Sequence, residues 1–217
     1  MTGSARPEPI FIADDPALDF LNSAGAPTAT QIDWLEDGSR FLSWLTQAEM
    51  LAPELAERFG AEISTQVMDD IAQQARELRK WLRWFIETYS GKPLISNATK
   101  ELELINRLLA GDGIYRQIVP QTPVDGNNDT GQFALTWQRQ RRLSKPDDLL
   151  LPLAEAIGDL VCSADFSLIR NCEGPACILW FFDTSKNHTR RWCTMSVCGN
   201  RAKASAHRAR KRREIPI

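Results

Sequence analysis

The sequence has 217 residues, 43% of them hydrophobic and 25% charged, which is typical of a soluble globular protein. It contains neither a run of the roughly 20 apolar residues that a transmembrane helix needs nor an apolar signal-peptide region, so we expect a cytoplasmic protein without a membrane partner. The net charge of −2 is unevenly divided, with −10 in residues 1–169 and +8 in residues 170–217. This asymmetry predicts a polyanionic partner for the basic end, although docking of that end on the acidic body is an alternative.

The predicted elements of the first ninety residues are mainly helical. Residues Ile10–Ile12 are expected to form a short strand, and the stretch DDPALDFLNS after them is typical of a compact turn or helix start. Apolar residues recur at helical spacing over residues 31–51 with an interruption at Gly38, so we expect two helical pieces, the second capped by Ser39. An apolar stripe over residues 61–89 predicts the clearest helix of the chain.

The rest of the body combines helices with a pair of strands. Helices are expected over residues 97–110 and 147–162. The runs IYRQIVP and GQFALTWQ have strand-like composition, and the turn-rich QTPVDGNNDTG between them predicts a β-hairpin with an exposed tip. The predicted fold class is therefore mainly α (α+β). It has a helical domain with a small hairpin at residues 1–165 and a small module of two short strands and a basic helix at 166–217.

Tryptophan is abundant, with seven residues in the chain. Aromatic side chains at helical spacing usually belong to a core, and we expect this of those in the helical segments. The alternative is a ligand pocket in the body lined by some of them. The residues concerned are Trp34, Trp44, Trp81 and Trp84.

Four of the five cysteines form two pairs near the carboxyl-terminal end. Cys172 and Cys177 are separated by four residues, as are Cys193 and Cys198, and fifteen residues lie between the pairs. Two close pairs from two chain segments commonly supply the four thiolates of a structural Zn²⁺, and Gly174 allows a tight turn within the first pair. The spacing is not that of dithiol oxidoreductases or common ferredoxins, and disulfides are rare in the cytoplasm. The sequence therefore favours one structural zinc ion over these alternatives.

The residues around the cysteine pairs predict the remainder of the module. ILWFFD is expected to be a strand and RRW a return strand, while Cys162 upstream is expected to be a buried free thiol. A helix capped by Asn200 should pack its alanines on the zinc site and face its basic arc outward. Residues 186–213 contain ten Lys or Arg and no acid, which predicts phosphate-dominated binding to DNA. The candidate nucleic-acid-binding residues are Lys186, Arg190, Arg191, Arg201, Lys203, Arg208, Arg210, Lys211 and Arg212.

The segment RNCEGPACILWFFDTSKNHTRRWCTMSVCGNRAKASAHRARKRR, in which Cys198-Gly199-Asn200-Arg201 follows RRWCTMSV, resembles the CGNR zinc finger. The stretch PALDFLNS (Pro16–Ser23) is similar to the ABATE domain that normally precedes this finger in bacterial proteins. The resemblance implies a stress-responsive transcription regulator with a sensor-like amino-terminal domain. Ser23 and Leu21 depart mildly from the residues usual in the family. The zinc ligands that the resemblance implies are Cys172, Cys177, Cys193 and Cys198.

Three classes of function are open from the sequence. A transcription regulator would bind DNA through the basic helix and sense an unidentified small-molecule effector or partner through its body, as a monomer or a homodimer. A protein–protein adaptor would use the zinc module as architecture. An enzyme is not expected, because residues 1–169 contain no nucleophile–base constellation and no phosphate-binding glycine loop. Asp19 and Asn22 are candidates for a polar ligand pocket, and the alternative is that they bind backbone groups where the first strand meets the helices.

Overall fold

Helices dominate the structure, which is a computed structural model describing residues 7–25, 32–94, 96–121 and 134–213. Six helices within these ranges form the body: α1 (Pro16–Leu21), α2 (Gly38–Gln47), α3 (Pro53–Glu62), α4 (Thr65–Tyr89), α5 (Glu103–Leu109) and α6 (Leu151–Ser163). A hairpin of β1 (Ile114–Pro120) and β2 (Leu135–Arg141) interrupts them. The carboxyl-terminal module consists of β3 (Ile169–Asn171), β4 (Trp180–Phe182) and α7 (Asn200–Arg213). The predicted mainly α fold with two small sheets is confirmed.

Capping residues determine where several helices begin. Asp15 lies at the N-cap of α1, and its carboxylate accepts two backbone N–H bonds from the first turn. Asp37 has the same role for α2, so the predicted cap at Ser39 is wrong, and the residues just before Asp37 form a turn instead of a first helical piece. The predicted helix over residues 61–89 is also divided, because Ile63 has extended backbone angles and separates α3 from α4.

Three other predicted elements differ in detail from the structure. The helix expected over residues 97–110 begins with a 3₁₀ helix (Ser96–Leu102) before α5. The helix expected over residues 147–162 likewise begins with a 3₁₀ helix (Pro146–Leu150) before α6. Residues Ile10–Ile12 form no strand. The sequence therefore located these segments correctly but did not predict their tighter first turns.

The core of the body lies between α4, which packs against α1 and α2, and α6, which packs against α1 and α5. Trp34 and Trp44 are buried in it, as predicted, and Trp81 is partly buried. Trp84 is 44% exposed, so the core prediction is wrong for this residue. None of the helices in the described ranges has the length and apolar character needed to span a bilayer.

The β1–β2 hairpin confirms the predicted strand pair. The strands are antiparallel, and Arg141 of β2 forms ion pairs with Asp112 and Glu155 that anchor the hairpin to the body. The predicted exposed tip lies in residues 122–133, outside the described residues.

Strand β4 is shared between two hydrophobic cores. Its partner is β3, so the prediction of a return strand at RRW is wrong. Trp180 and Phe182 pack against the core of the body, whereas Phe181 and the preceding Leu179 pack among the cysteines. This alternation follows from the two-residue period of a strand. The two parts of the chain therefore share a wall, and we keep the division at residues 165 and 166 as a proposal.

Candidate metal centre and basic helix

The four paired cysteines converge in the carboxyl-terminal module. Their Sγ atoms all lie within 4.8 Å of one another and all four residues are buried. The Sγ atom of Cys193 lies 3.6 Å from those of Cys177 and Cys198, and none of the four forms a disulfide. In a tetrahedral site with Zn–S distances of about 2.3 Å, neighbouring sulfur atoms are about 3.8 Å apart. The cluster therefore fits one structural zinc ion, as predicted.

The backbone around the cluster is arranged to face sulfur. A Cβ atom on Gly174 would lie 3.0 Å from the Sγ atom of Cys198, so glycine leaves the space that the fourth thiolate occupies. The N–H groups of Gly174 and Cys193 donate hydrogen bonds to the Sγ atom of Cys172 at 3.4 Å and 3.2 Å. Such donors stabilise negative charge on sulfur and fix the orientation of the ligand. These contacts explain the glycine within the first cysteine pair.

The thiols of the cluster influence one another's ionisation. The hydrogen bond with Cys193 lowers the pKa of Cys177 to about 6, whereas burial raises the pKa of Cys198 to about 12. The pKa of Cys193 is also raised, first by its hydrogen bond with Cys177 and then by burial. Four neighbouring thiols do not all ionise without a cation, and a bound Zn²⁺ supplies the compensating charge.

A buried carboxylate organises the loop between the two cysteine pairs. Asp183 is fully buried and accepts hydrogen bonds from the N–H and hydroxyl of Ser185 and from the N–H of Arg190. Although burial raises the pKa of Asp183, these hydrogen bonds outweigh it and hold the pKa below the ordinary value. His188 closes the loop, with its Nδ1 atom 3.0 Å from the carbonyl oxygen of Asp183. His188 therefore serves the loop and takes no part in the cysteine cluster.

Arg190 joins the finger to the amino-terminal segment. Its guanidinium donates to the carbonyl oxygens of Ile12 at 2.9 Å and Cys193 at 2.7 Å, and it pairs with Asp14. The same group lies over the ring of Phe181, 4.2 Å from the centroid. Because these partners use the guanidinium inside the protein, we correct the expectation that Arg190 contacts nucleic acid.

The helix after the last cysteine begins earlier than predicted. Thr194 accepts an N–H bond from Val197 and caps a π-helical turn (Met195–Gly199) that runs directly into α7. Asn200 is therefore not the cap, and its side chain donates to the carbonyl oxygen of Ser196.

Beyond its first turn, α7 projects from the finger. Ala206 is exposed, so the predicted packing of the alanine face against the metal site is wrong. Among elements of the described chain, α7 makes its main contacts with the π-helical turn that precedes it. The side chains of Lys203, Arg208 and Lys211 are exposed, as the basic-arc prediction requires.

The other candidate contacts occupy mixed surroundings. Lys186 is exposed, and Arg191 is exposed but paired with Glu173, with 2.7 Å between Nε and the carboxylate. Arg201 is partly buried, whereas the side chains of Arg210 and Arg212 lie outside the described residues. Away from this surface, Cys162 is exposed, so the prediction of a buried thiol is wrong.

Asp19 and Asn22 both bind backbone groups. The Asp19 carboxylate accepts N–H bonds from Ile12 at 2.9 Å and Ala13 at 3.0 Å, and burial raises its pKa to about 6. The Asn22 side chain is buried, donating to the carbonyl oxygen of Trp180 at 2.7 Å and accepting from its N–H at 2.9 Å. These contacts agree with the backbone-binding alternative, and a ligand at this position would have to displace them.

The sequence prediction missed a polar network under the loop after α1. Arg79 is 6% exposed and forms two hydrogen bonds with Asp33, at 2.6 Å and 2.9 Å. It also donates to the hydroxyl of Ser23 at 2.8 Å. The available signal was the position of Arg79 on the apolar stripe of α4, four residues after Ala75 and three before Leu82.

Comparisons with known families agree with this architecture. The CGNR zinc finger model matches residues 169–211. The ABATE model, described as "Putative stress-induced transcription regulator", matches residues 14–164, which is more than half of the chain. A comparison with curated proteins gave no match. The chain therefore belongs to the ABATE family and carries a CGNR zinc finger after its ABATE domain.

Proposed function

We propose that this protein is a transcription regulator whose zinc finger binds duplex DNA through α7. The observation that carries the proposal is the exposure of Lys203, Arg208 and Lys211 on a helix that leaves a buried metal cluster without any acidic residue. Basic side chains on an exposed helix suit phosphate contacts, which supply most of the affinity of non-specific DNA binding.

The alternative, docking of the basic end on the acidic body, has less support. None of the described side chains of α7 forms an ion pair with an acidic residue of the body at residues 7–25, 32–94, 96–121 or 134–165. Lys203 and Arg208 are solvent-exposed. Unpaired like charges on one helix repel each other, and a polyanionic partner would relieve this repulsion.

The body is proposed to act as the sensor of the regulator. The finger is fixed to it at three places: the shared strand β4, the Asn22 bonds to Trp180, and the Arg190 bonds to the amino-terminal segment. A change in the body that moves any of these contacts would change the orientation of α7. This connection is the physical route by which an effector or partner would reach DNA binding.

The test is duplex DNA binding by fluorescence anisotropy across a salt series. The triple variant Arg208→Ala, Arg210→Ala, Lys211→Ala should lose at least about tenfold in affinity and flatten the salt dependence by up to about three charges. The matched control removes three exposed charges of the body, with Lys92→Ala, Lys100→Ala and Arg107→Ala, and should bind like the wild type. The proposal fails if the wild type shows no salt-dependent affinity, or if the two triple variants bind equally.

A further inference from the structure

A cavity of about 460 Å³ lies where the body meets the finger, and DNA binding as proposed above does not use it. Its volume is in the range of small-molecule binding sites. The body contributes Arg79, Lys80 and Arg83 from α4 together with Ile32 and Asp33, and the finger contributes Ile178. The cavity therefore combines charged and apolar walls from both parts of the chain.

The charged wall carries more positive than negative charge. Asp33 compensates Arg79, and Lys80 pairs with Glu77 on the surface of the helix. Arg83 is partly buried, and its printed hydrogen bond goes to the carbonyl oxygen of Leu21 at 3.3 Å.

Within the described chain, no carboxylate lies within 4.0 Å of the Arg83 guanidinium. Burial lowers the pKa of Arg83, which reflects the cost of the poorly compensated charge. A partly buried cation without a counter-ion is unfavourable, and a bound anion would remove this cost.

We propose that this cavity binds a small molecule bearing an oxyanion, either a carboxylate or a phosphate. Arg83 and Lys80 bind the oxyanion, because a guanidinium forms paired hydrogen bonds with such groups and an ammonium adds a point charge. The apolar side chains of Ile32 and Ile178 contact the remainder of the molecule. The site is thus suited to a small organic anion with an apolar part.

The cavity wall is continuous with the residues that hold the finger. Arg79 donates to the hydroxyl of Ser23, and the adjacent Asn22 binds the backbone of Trp180 in β4. Gly25 lies against Ile178, since a Cβ at Gly25 would be 3.0 Å from that side chain. An anion beside Arg79 and Ile178 therefore acts on the contacts that orient β4. This effector role rests on the proposed DNA-binding function, whereas the binding site itself does not.

The site is tested by isothermal titration calorimetry of the zinc-loaded full chain with sodium benzoate and, separately, sodium phosphate, against sodium chloride at equal ionic strength. We expect one saturable site per chain for at least one probe. Saturation by benzoate identifies a carboxylate site and saturation by phosphate a phosphate site. Arg83→Gln should weaken binding at least about tenfold, and Lys100→Gln, which removes an exposed charge elsewhere, should not. The proposal is overturned if neither probe saturates below about 10 mM, or if Arg83→Gln binds like the wild type.

A second measurement separates this site from the proposed function. Duplex affinity is measured with benzoate or chloride at equal ionic strength, in the wild type and in Arg83→Gln. We expect benzoate to shift the DNA dissociation constant at least about threefold in the wild type only. Benzoate binding without any DNA binding would refute the proposed function and leave the site intact. DNA binding that benzoate does not alter would refute the effector role.

Discussion

The body and the zinc finger are stabilised in different ways. The body has a continuous core with large side chains such as Phe20, Trp44 and Phe85, so burial of apolar surface stabilises it. The finger's own core consists of the four cysteines with Leu179 and Phe181, and it is too small to supply comparable stability. The finger therefore depends on metal and on the shared strand β4, and the two regions should respond to different perturbations.

Removal of zinc should give the largest effect, and it should be confined to the finger. Cys193→Ser removes a ligand that contacts two other thiols, so the variant should lose its zinc and unfold the segment over residues 172–199. Structural zinc typically contributes about 10 kcal/mol or more to such folds. Zinc content by mass spectrometry and hydrogen exchange of residues 65–89 and 172–199 measure the two regions separately.

Cys162→Ser is the matched control for the zinc experiment, because Cys162 is an exposed thiol outside the cluster. It should retain zinc and normal protection in both regions. A Cys193→Ser protein that kept one zinc per chain, or that lost protection equally in α4, would contradict the separation of the two regions.

A cavity in the core of the body should give the reverse pattern. Leu82→Ala removes a fully buried side chain from α4 and should lower the free energy of unfolding by about 2–5 kcal/mol, with zinc content unchanged. Urea denaturation followed by tryptophan fluorescence measures this loss. Val67→Ala on the same helix is the control, because Val67 is 40% exposed and should cost less than about 1 kcal/mol. Loss of zinc in Leu82→Ala at low denaturant would show that the finger does not survive independently of this core.

The sequence predicted the metal site better than the contacts between regions. The cysteine spacing has few physical interpretations, and the elements of the body followed from apolar periodicity. The Arg190 bonds to Ile12 and Cys193 join residues that are distant in sequence, and no local pattern distinguishes Arg190 from the adjacent Arg191. The same limit applies to α7, where alanine spacing indicated a packing face but could not show whether any surface lay opposite Ala206.

The contact between the regions should depend on Arg190 far more than on Arg191. Arg190→Ala removes several charge-assisted hydrogen bonds and leaves the carbonyl oxygen of Ile12 unpaired, so we expect a loss of about 3 kcal/mol. Arg191→Ala removes an exposed pair with Glu173 and should cost less than about 1 kcal/mol. Hydrogen exchange of residues 10–14 and 183–198 measures where protection is lost. Equal losses in the two variants would remove Arg190 from its role between body and finger.

The smallest expected effect is a pH dependence that arises where the amino-terminal segment lies between the two regions. Burial raises the pKa of Asp19 from 3.8 to about 6, because its carboxylate sits under Ile12 and Ala13 and near two other aspartates. The folded state then binds a proton more tightly than the unfolded state, so the free energy of unfolding should fall as pH rises from about 4 to about 6. The lowered pKa values of Asp33 and Asp183 act in the opposite direction, but their contributions are lost only below about pH 4.

Asp19→Asn keeps an oxygen that accepts a backbone hydrogen bond and removes the titration. Because the Asp19 side chain is partly open to solvent, we expect the variant to lack about 1 kcal/mol of the decrease seen in the wild type. Urea denaturation at pH 4.5 and pH 6.5 measures this difference, and protonation of the cysteine cluster cancels because both proteins share it. Identical pH dependence in the two proteins would mean that Asp19 is ionised over this range, with its two N–H bonds outweighing burial. The amino-terminal segment would then be held on the finger by a full negative charge, and Asp19→Asn would weaken that contact at both pH values.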